Sequence, residues 1–210
     1  MLFRSNFLII DSGRIPLHVF GEHNMQNIAG AKAVCEQLDE ITDEMFYNAM
    51  LTFKGASKRL QLISKAESVN VYLDFAHSPS KLTATLKAVR QQFPHRYLVA
   101  CIELYSHSSL SENFLDQYNG SMDLADDRYV YYNPQAMQQK GMKMLSAEKV
   151  FNSFGNTNLK VFTDLNEMLE DLYSLNWSNR NLLFMSSGNF SGLNLFEVAD
   201  KVSDLKTTKE

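Results

Sequence analysis

From Pro79 onward, short apolar runs alternate with stretches of helical period, and that alternation constrains the fold more than any other feature. The apolar runs fall at 97–103, 129–132, 159–162 and 182–186; helical periods occupy 79–93, 111–118, 147–154, 164–175 and 195–202. Runs that are apolar at nearly every position suit strands covered on both faces. Strands alternating with helices predict a mostly parallel sheet with helices on both faces. Pro79 suits a first helical turn, and Thr163 or Asp164 suits the cap of the helix after 159–162.

The first third reads differently. Phe7-Leu8-Ile9-Ile10, a turn at Asp11-Ser12-Gly13 and an extended stretch over 15–20 through Pro16 predict a hairpin. Asn24 suits the cap of a helix to about residue 38, with Ile28, Ala31, Val34 and Leu38 on one face. A second helix is predicted over 42–53, carrying Met45, Phe46, Ala49 and Met50. Segments 60–66 and 69–74 read as an antiparallel pair joined near Glu67-Ser68.

A length of 210 residues admits one large domain, or one domain with a small attached piece. An apolar share of 45% and a charged share of 21% are those of a chain able to bury a sizeable core. The net charge of −4, with Lys and Arg unclustered, argues against a nucleic-acid partner. Cys35 and Cys101 read as reduced, buried core residues. The apolar start over 2–10, broken by Arg4, Ser5 and Asn6, is too short for a membrane span and lacks a cleavage site, so a cytoplasmic setting without membrane attachment is expected.

In an open parallel sheet, ligands bind beyond the carboxyl ends of the strands. The segments 74–79, 103–109 and 186–192 lie at such ends and carry polar or small residues, and together they suggest a cleft. Two polar motifs stand out: Gly21-Glu22-His23-Asn24-Met25-Gln26-Asn27 and Asp74-Phe75-Ala76-His77-Ser78-Pro79. An Asn amide offers a donor and an acceptor, which suits a purine edge. A carboxylate at a strand tip accepts from sugar hydroxyls, and Phe75 offers a stacking face. Alone, the first motif reads as well as a capped helix with His23 filling a turn, and the second as a capping Asp, a core Phe and a surface His. No Gly-x-x-x-x-Gly-Lys-Ser/Thr loop occurs to hold nucleotide phosphates.

These motifs, in this order and spacing, resemble those of the Mur ligase family of ATP-dependent peptidoglycan-precursor enzymes. The first is similar to the family's Gly-x-His-Asn-x-x-Asn element. Phe53-Lys54-Gly55-Ala56-Ser57-Lys58-Arg59 is similar to Phe-x-Gly-x-x-Arg-Arg, with Lys58 in place of the first Arg. The third is similar to Asp-Tyr/Phe-Ala/Gly-His-x-Pro. Within the family, Phe75, Ala76, Glu103 and the segment Gly188-Asn189-Phe190-Ser191-Gly192 resemble the branch that rejoins L-alanyl-γ-D-glutamyl-meso-diaminopimelate to UDP-N-acetylmuramate; the branch that adds L-alanine is the alternative. Both branches usually place an Arg in the loop here occupied by 103–109, which has none.

The resemblance implies a Rossmann-like C-terminal domain over 23–205, a remnant of the central ATPase domain and hinge over 1–22, and a frayed tail over 206–210. It implies an amide ligation through an acyl phosphate, with ATP and Mg2+ as cofactors, and as partners UDP-N-acetylmuramate, an amino acid or tripeptide, and the enzyme's own N-terminal and central domains. On this reading His23, Asn24, Asn27, Arg59, Asp74, Phe75 and His77 face the nucleotide, while Glu103, Tyr105, His107, Ser187, Asn189 and Phe190 receive the amine substrate. No general base is identifiable, and the magnesium ligands and phosphate loop are expected in the central domain, so this chain alone is expected not to turn over. A stand-alone, non-catalytic binding module is the alternative from another class; the unpaired edges of the opening hairpin argue against it. Tyr129, Tyr131 and Tyr132 read as packing, Met137, Met142 and Met144 as gap-fillers, Asp123, Asp126 and Asp127 as a solvated helix end, and Trp177 as the anchor of a turn.

Overall fold

A computed structural model describes residues 2–4, 7–10, 13–67, 69–155 and 158–205. The turn expected at Asp11-Ser12 and the tail over 206–210 lie outside them, as does Ser68. The chain begins with an antiparallel sheet of β1 (Leu2–Arg4), β2 (Phe7–Ile10) and β3 (Gly13–Pro16), in that order. Two helices follow, α1 (Glu22–Cys35) and α2 (Asp43–Thr52). The remainder comprises β4 (Gln61–Lys65), β5 (Val69–Asp74), α3 (Pro79–Gln92), β6 (Tyr97–Glu103), α4 (Glu112–Leu115), β7 (Asp127–Tyr131), α5 (Pro134–Gln139), α6 (Ala147–Phe154), β8 (Leu159–Phe162), α7 (Leu165–Ser174), β9 (Arg180–Met185) and α8 (Leu195–Asp204).

The larger sheet has the order β4-β5-β9-β6-β7-β8. β4 runs antiparallel to β5 with a bulge between Leu62 and Ser64; every other pairing is parallel. This is the α/β architecture expected from the alternation. Side chains alternate between the faces with the period of two that a strand imposes. Tyr72, Leu98, Ala100, Ile102, Val130 and Leu183 pack under α3 and α6, where Leu82, Leu86, Val150 and Phe154 close that layer. Val71, Val99, Cys101, Tyr129, Leu182 and Phe184 face α7 and α8, against Met168, Leu172, Val198 and Val202. Trp177 holds the turn before β9 by donating Nε1–H to Leu172 O at 3.0 Å.

Several local expectations are corrected. Asn24 caps nothing: α1 starts at Glu22 with Gly21 before it, and Asn24 sits buried in the first turn, donating its amide to Phe20 O at 2.8 Å. The inward stripe of α1 is Met25, Ile28 and Lys32, so Val34 is 63% exposed and Leu38, beyond the helix, is 50% exposed. On α2, Phe46 turns inward while Met45 stays exposed. The physical reason is the partner: α1 and α2 pack with β2 and β3 in a separate cluster of Leu8, Leu17, Val19, Met25, Ile28 and Phe46, not against the large sheet. Cys35 is half-buried, whereas Cys101 is fully buried and its thiol is pushed up by that burial. The helix expected over 111–118 breaks after Leu115 into a 3-10 turn, Asp116–Tyr118. The short helix α5 was not anticipated; its Asn133 cap, which accepts from Ala136 N–H, and Pro134 at the first position are readable start signals.

Candidate functional site

The carboxyl ends of β5, β9 and β6 lie side by side, because Asp74 pairs with Met185 and Met185 with Ile102. Asp74, Ser186 and Glu103 therefore share one sheet edge. Asp74 is buried and its carboxylate is fully engaged: Oδ2 accepts from Leu60 N–H at 2.7 Å, and Oδ1 accepts from Ala76 N–H at 2.7 Å and from the Thr85 hydroxyl at 3.2 Å. Leu60 has φ 44° and Lys58 φ 54°, left-handed values uncommon for side-chain-bearing residues. Arg59, between them, projects its side chain to solvent. Asp74 thus holds a strained turn in place, and the turn presents Arg59.

His23 stands nearby, close enough for Asp74 and Arg59 both to act on its charge. Burial pushes its pKa below the ordinary histidine value; Asp74 opposes that and Arg59 adds to it. Its Nε2 is buried without a hydrogen-bond partner. A pocket of about 360 Å³ opens beside it, lined by Glu22, Gln26, Ser80, Thr83 and Lys87 among others. His23 itself is one of the residues that line this pocket, and its Nε2 carries unspent hydrogen-bonding capacity. His77 turns its Nδ1 to Phe75 O at 2.8 Å, and the rings of Phe75 and His77 meet edge-to-face at 5.2 Å. Asn27 is exposed on α1.

On the other side of the edge, Glu103 is buried and performs the same task as Asp74. Its Oε2 accepts from the Ser186 hydroxyl and from Phe190 N–H at 2.8 Å, and Ser186 Oγ in turn accepts from Gly188 N–H at 2.7 Å. Phe190 and Ser191 have φ 48° and 54°. Gly188 is required here: a Cβ would lie 2.6 Å from the Tyr105 ring and 2.8 Å from Glu103 Oε2. Lys58 Nζ donates to Gly188 O at 3.2 Å, tying the two halves of the edge together. A pocket of about 220 Å³ lies over Glu103, Tyr105, Asn133, Lys140 and Ser191, and His107 lines a neighbouring one of about 730 Å³.

The family model described as Mur ligase, glutamate ligase domain, matches residues 58–188. The chain belongs to the Mur ligase family. A UDP-N-acetylmuramate–L-alanine ligase of Salinibacter ruber is 37% identical over 114 residues, covering 54% of this chain and 24% of that protein. The same-named ligase of Pediococcus pentosaceus is 26% identical over 179 residues, covering 85% of this chain and 39% of that protein. The chain thus spans between a quarter and two fifths of the length of these relatives. Among solved structures, the UDP-N-acetylmuramate–alanine ligase of Thermotoga maritima superposes with a TM-score of 0.67 at 17% identity, over 93% of this chain and 40% of that one. The murein peptide ligase of Psychrobacter arcticus gives 0.61 at 21% identity, over 91% and 39%. A Mycobacterium tuberculosis folylpolyglutamate synthase, solved with ADP and AMPPCP, gives 0.59 at 16% identity, over 94% and 42%. At such identities these structures share the fold.

Of the residues singled out in the sequence of this Mur ligase domain, His23, Arg59 and Asp74 are brought together, while Asn24 is spent on Phe20 O. Tyr105 and Ser187 are brought to the loop held by Glu103; Asn189 is exposed there and accepts from Gly192 N–H at 3.1 Å. The expectation that Phe190 faces a substrate is corrected: its ring is wholly buried against Tyr131 and Phe184, because an apolar ring on this inward turn fills the core. Sequence reasoning missed Lys58 as the tie to Gly188, Thr85 as a partner of Asp74, and Lys140 and Asn133 as pocket walls. It assigned Tyr131 to packing alone, whereas its hydroxyl also meets Ser191 Oγ at 2.8 Å. Asp126 and Asp127 are paired rather than solvated, the former with Arg90 and Leu98 N–H, the latter with Tyr97 and Arg180.

Proposed function

We propose that this chain is the C-terminal part of an ATP-dependent amide ligase that joins the lactyl carboxylate of UDP-N-acetylmuramate to an incoming amine. The observation that carries this reading is the joint edge of β5, β9 and β6, where His23, Arg59 and Asp74 gather on one side and the Glu103-held loop on the other. The unpartnered His23 Nε2 and the pocket beside it, which mixes apolar surface with polar side chains, support a nucleoside there. ATP would supply the activating phosphoryl group, giving an acyl phosphate that the amine attacks with loss of phosphate. An acyl phosphate must be kept from water, so the edge is read as a lid that closes over it. From the family resemblance, Mg2+ is assigned to the preceding domain. In place of the boundary expected after residue 22, we propose one near residue 58, since α1 and α2 pack with β2 and β3 and the family match begins at residue 58. Partners are then that domain, an N-terminal domain and the UDP-sugar, in a bacterial cytoplasm.

The named relatives favour L-alanine as the amine. The segment 188–192 and the murein peptide ligase neighbour favour the tripeptide as a second reading. The test is ligation by the complete enzyme with ATP, UDP-N-acetylmuramate and each amine in turn. Phosphate release with L-alanine at least tenfold more efficient than with the tripeptide is expected; release with neither overturns the ligase reading. The 210-residue chain alone is expected to show no ligation.

A further inference from the structure

Resting on the ligase reading, we infer that Lys58 is a positioning residue, whose bond across the sheet edge sets the spacing between the turn that presents Arg59 and the loop beyond β9. Three polar groups of this one half-buried residue reach three different segments. Its N–H donates to Gln61 Oε1 at 2.9 Å, at the start of β4. Its carbonyl accepts from Phe75 N–H at 2.8 Å, just beyond β5. Its Nζ donates to Gly188 O at 3.2 Å, in the loop beyond β9. The backbone of Lys58 is thereby pinned at both ends while holding φ at 54°, so the side chain starts from a fixed root. Among the described residues, no other hydrogen bond joins the turn 58–60 to the loop 187–192.

The need for such a tie follows from distance. β9 lies between β5 and β6, so the strand ends that carry Asp74 and Glu103 stand two strand spacings, about 10 Å, apart. A ligation needs its reacting atoms about 3–3.5 Å apart and aligned. The sheet fixes the strand ends, but residues 187–192 lie past the end of β9. Glu103 holds that loop to β6 through Phe190 N–H and Ser186. Lys58 holds it to the turn, and Tyr105 and Glu103 stand too close to Gly188 for the peptide to retreat toward them. Arg59 is next in the chain, so whatever fixes Lys58 fixes the root of Arg59 as well. Lys58 thus acts through Arg59 and Gly188 rather than by touching a substrate, and its contribution falls on alignment in the reaction.

The test uses the complete ligase, unaltered and as Lys58→Met and Lys58→Arg, with ligation kinetics, thermal unfolding and hydrogen exchange over residues 187–192. In Lys58→Met, kcat is expected to fall about tenfold to a hundredfold, as for a misplaced reacting group. The KM values for ATP and for the amine stay within about twofold, the split that marks an interaction spent on the transition state. Exchange over 187–192 quickens while the unfolding temperature holds, and Lys58→Arg, which keeps a cationic donor, recovers most of kcat. If Lys58→Met does not fold, Lys58→Gln, too short to span the edge, takes its place with the same expectations. An unchanged kcat, an equal loss in Lys58→Arg, a raised KM for ATP with kcat intact, or unchanged exchange over 187–192 each overturns this role while the ligase reading stands. An unaltered enzyme that joins no amine overturns the ligase reading and, with it, the catalytic consequence; the exchange measurement then decides the tie by itself.

Discussion

Asp74 and Glu103 each spend a buried carboxylate on the backbone of a strained turn rather than on solvent. A hydrogen bond to a charged group contributes about 1.5–3 kcal/mol, and an unmet buried donor costs more than a lost surface contact. Asp74→Asn keeps the shape but replaces an acceptor with an NH2 that faces a donor. It is expected to lower stability by about 2–3 kcal/mol in urea unfolding, with hydrogen exchange at Leu60 and Ala76 accelerated before that of the central strands. His23 offers a second measurement. Its folded pKa lies below the unfolded value, so the unfolded chain binds the proton more readily. Stability from this group is complete above about pH 6.5 and declines as pH falls from there toward the folded pKa. NMR titration of the His23 ring is expected to give a midpoint under 6.5, and a nucleotide that bonds Nε2 is expected to shift it. The Asp-x-x-His motif was readable because its residues are adjacent in the chain. The task of Asp74 was not, because the Leu60 N–H it holds is fourteen residues away, in the turn before β4. Lys140 was invisible for the same reason, since its partner Tyr105 is thirty-five residues distant.

At the level of elements, the Glu103-held loop works only if its backbone passes close to Tyr105, and Gly188 permits that approach. Gly188→Ala is expected to push the loop off the strand end, at about 1–3 kcal/mol for an overpacked contact, and to break the Lys58 bond to residue 188. Thermal unfolding reads the first effect, and amide shifts of Phe190 and Ser191 read the second. The large-sheet strands were legible to within two residues because burial on both faces writes itself as an unbroken apolar run; β6 spans the segment 97–103 as expected, while β7 and β9 each start two residues earlier than expected, at Asp127 and Arg180. The faces of α1 and α2 were not legible. Apolar residues lie all round these helices, and the choice of Met25, Ile28 and Phe46 was made by the small sheet they cover, a partner that local periodicity does not encode.

The molecule as a whole has a doubly covered large sheet and, before it, a smaller apolar cluster of its own. The smaller cluster leaves Val34, Met45 and Leu51 exposed. Regions with fewer buried apolar contacts open at lower free energy. Hydrogen–deuterium exchange is therefore expected to strip protection from α1 and α2 well before β5, β9 and β6; uniform protection across all of these would show a single cooperative unit.

The place of β9 has a consequence for how the chain comes off the ribosome. Of this sheet's six strands, the one that comes latest in the sequence fills the gap between β5 and β6, at the middle of the sheet. Until it emerges, the nascent polypeptide holds two half-sheets with raw inner edges facing each other, a natural target for chaperones and a reason for any release before Arg180 to yield insoluble product.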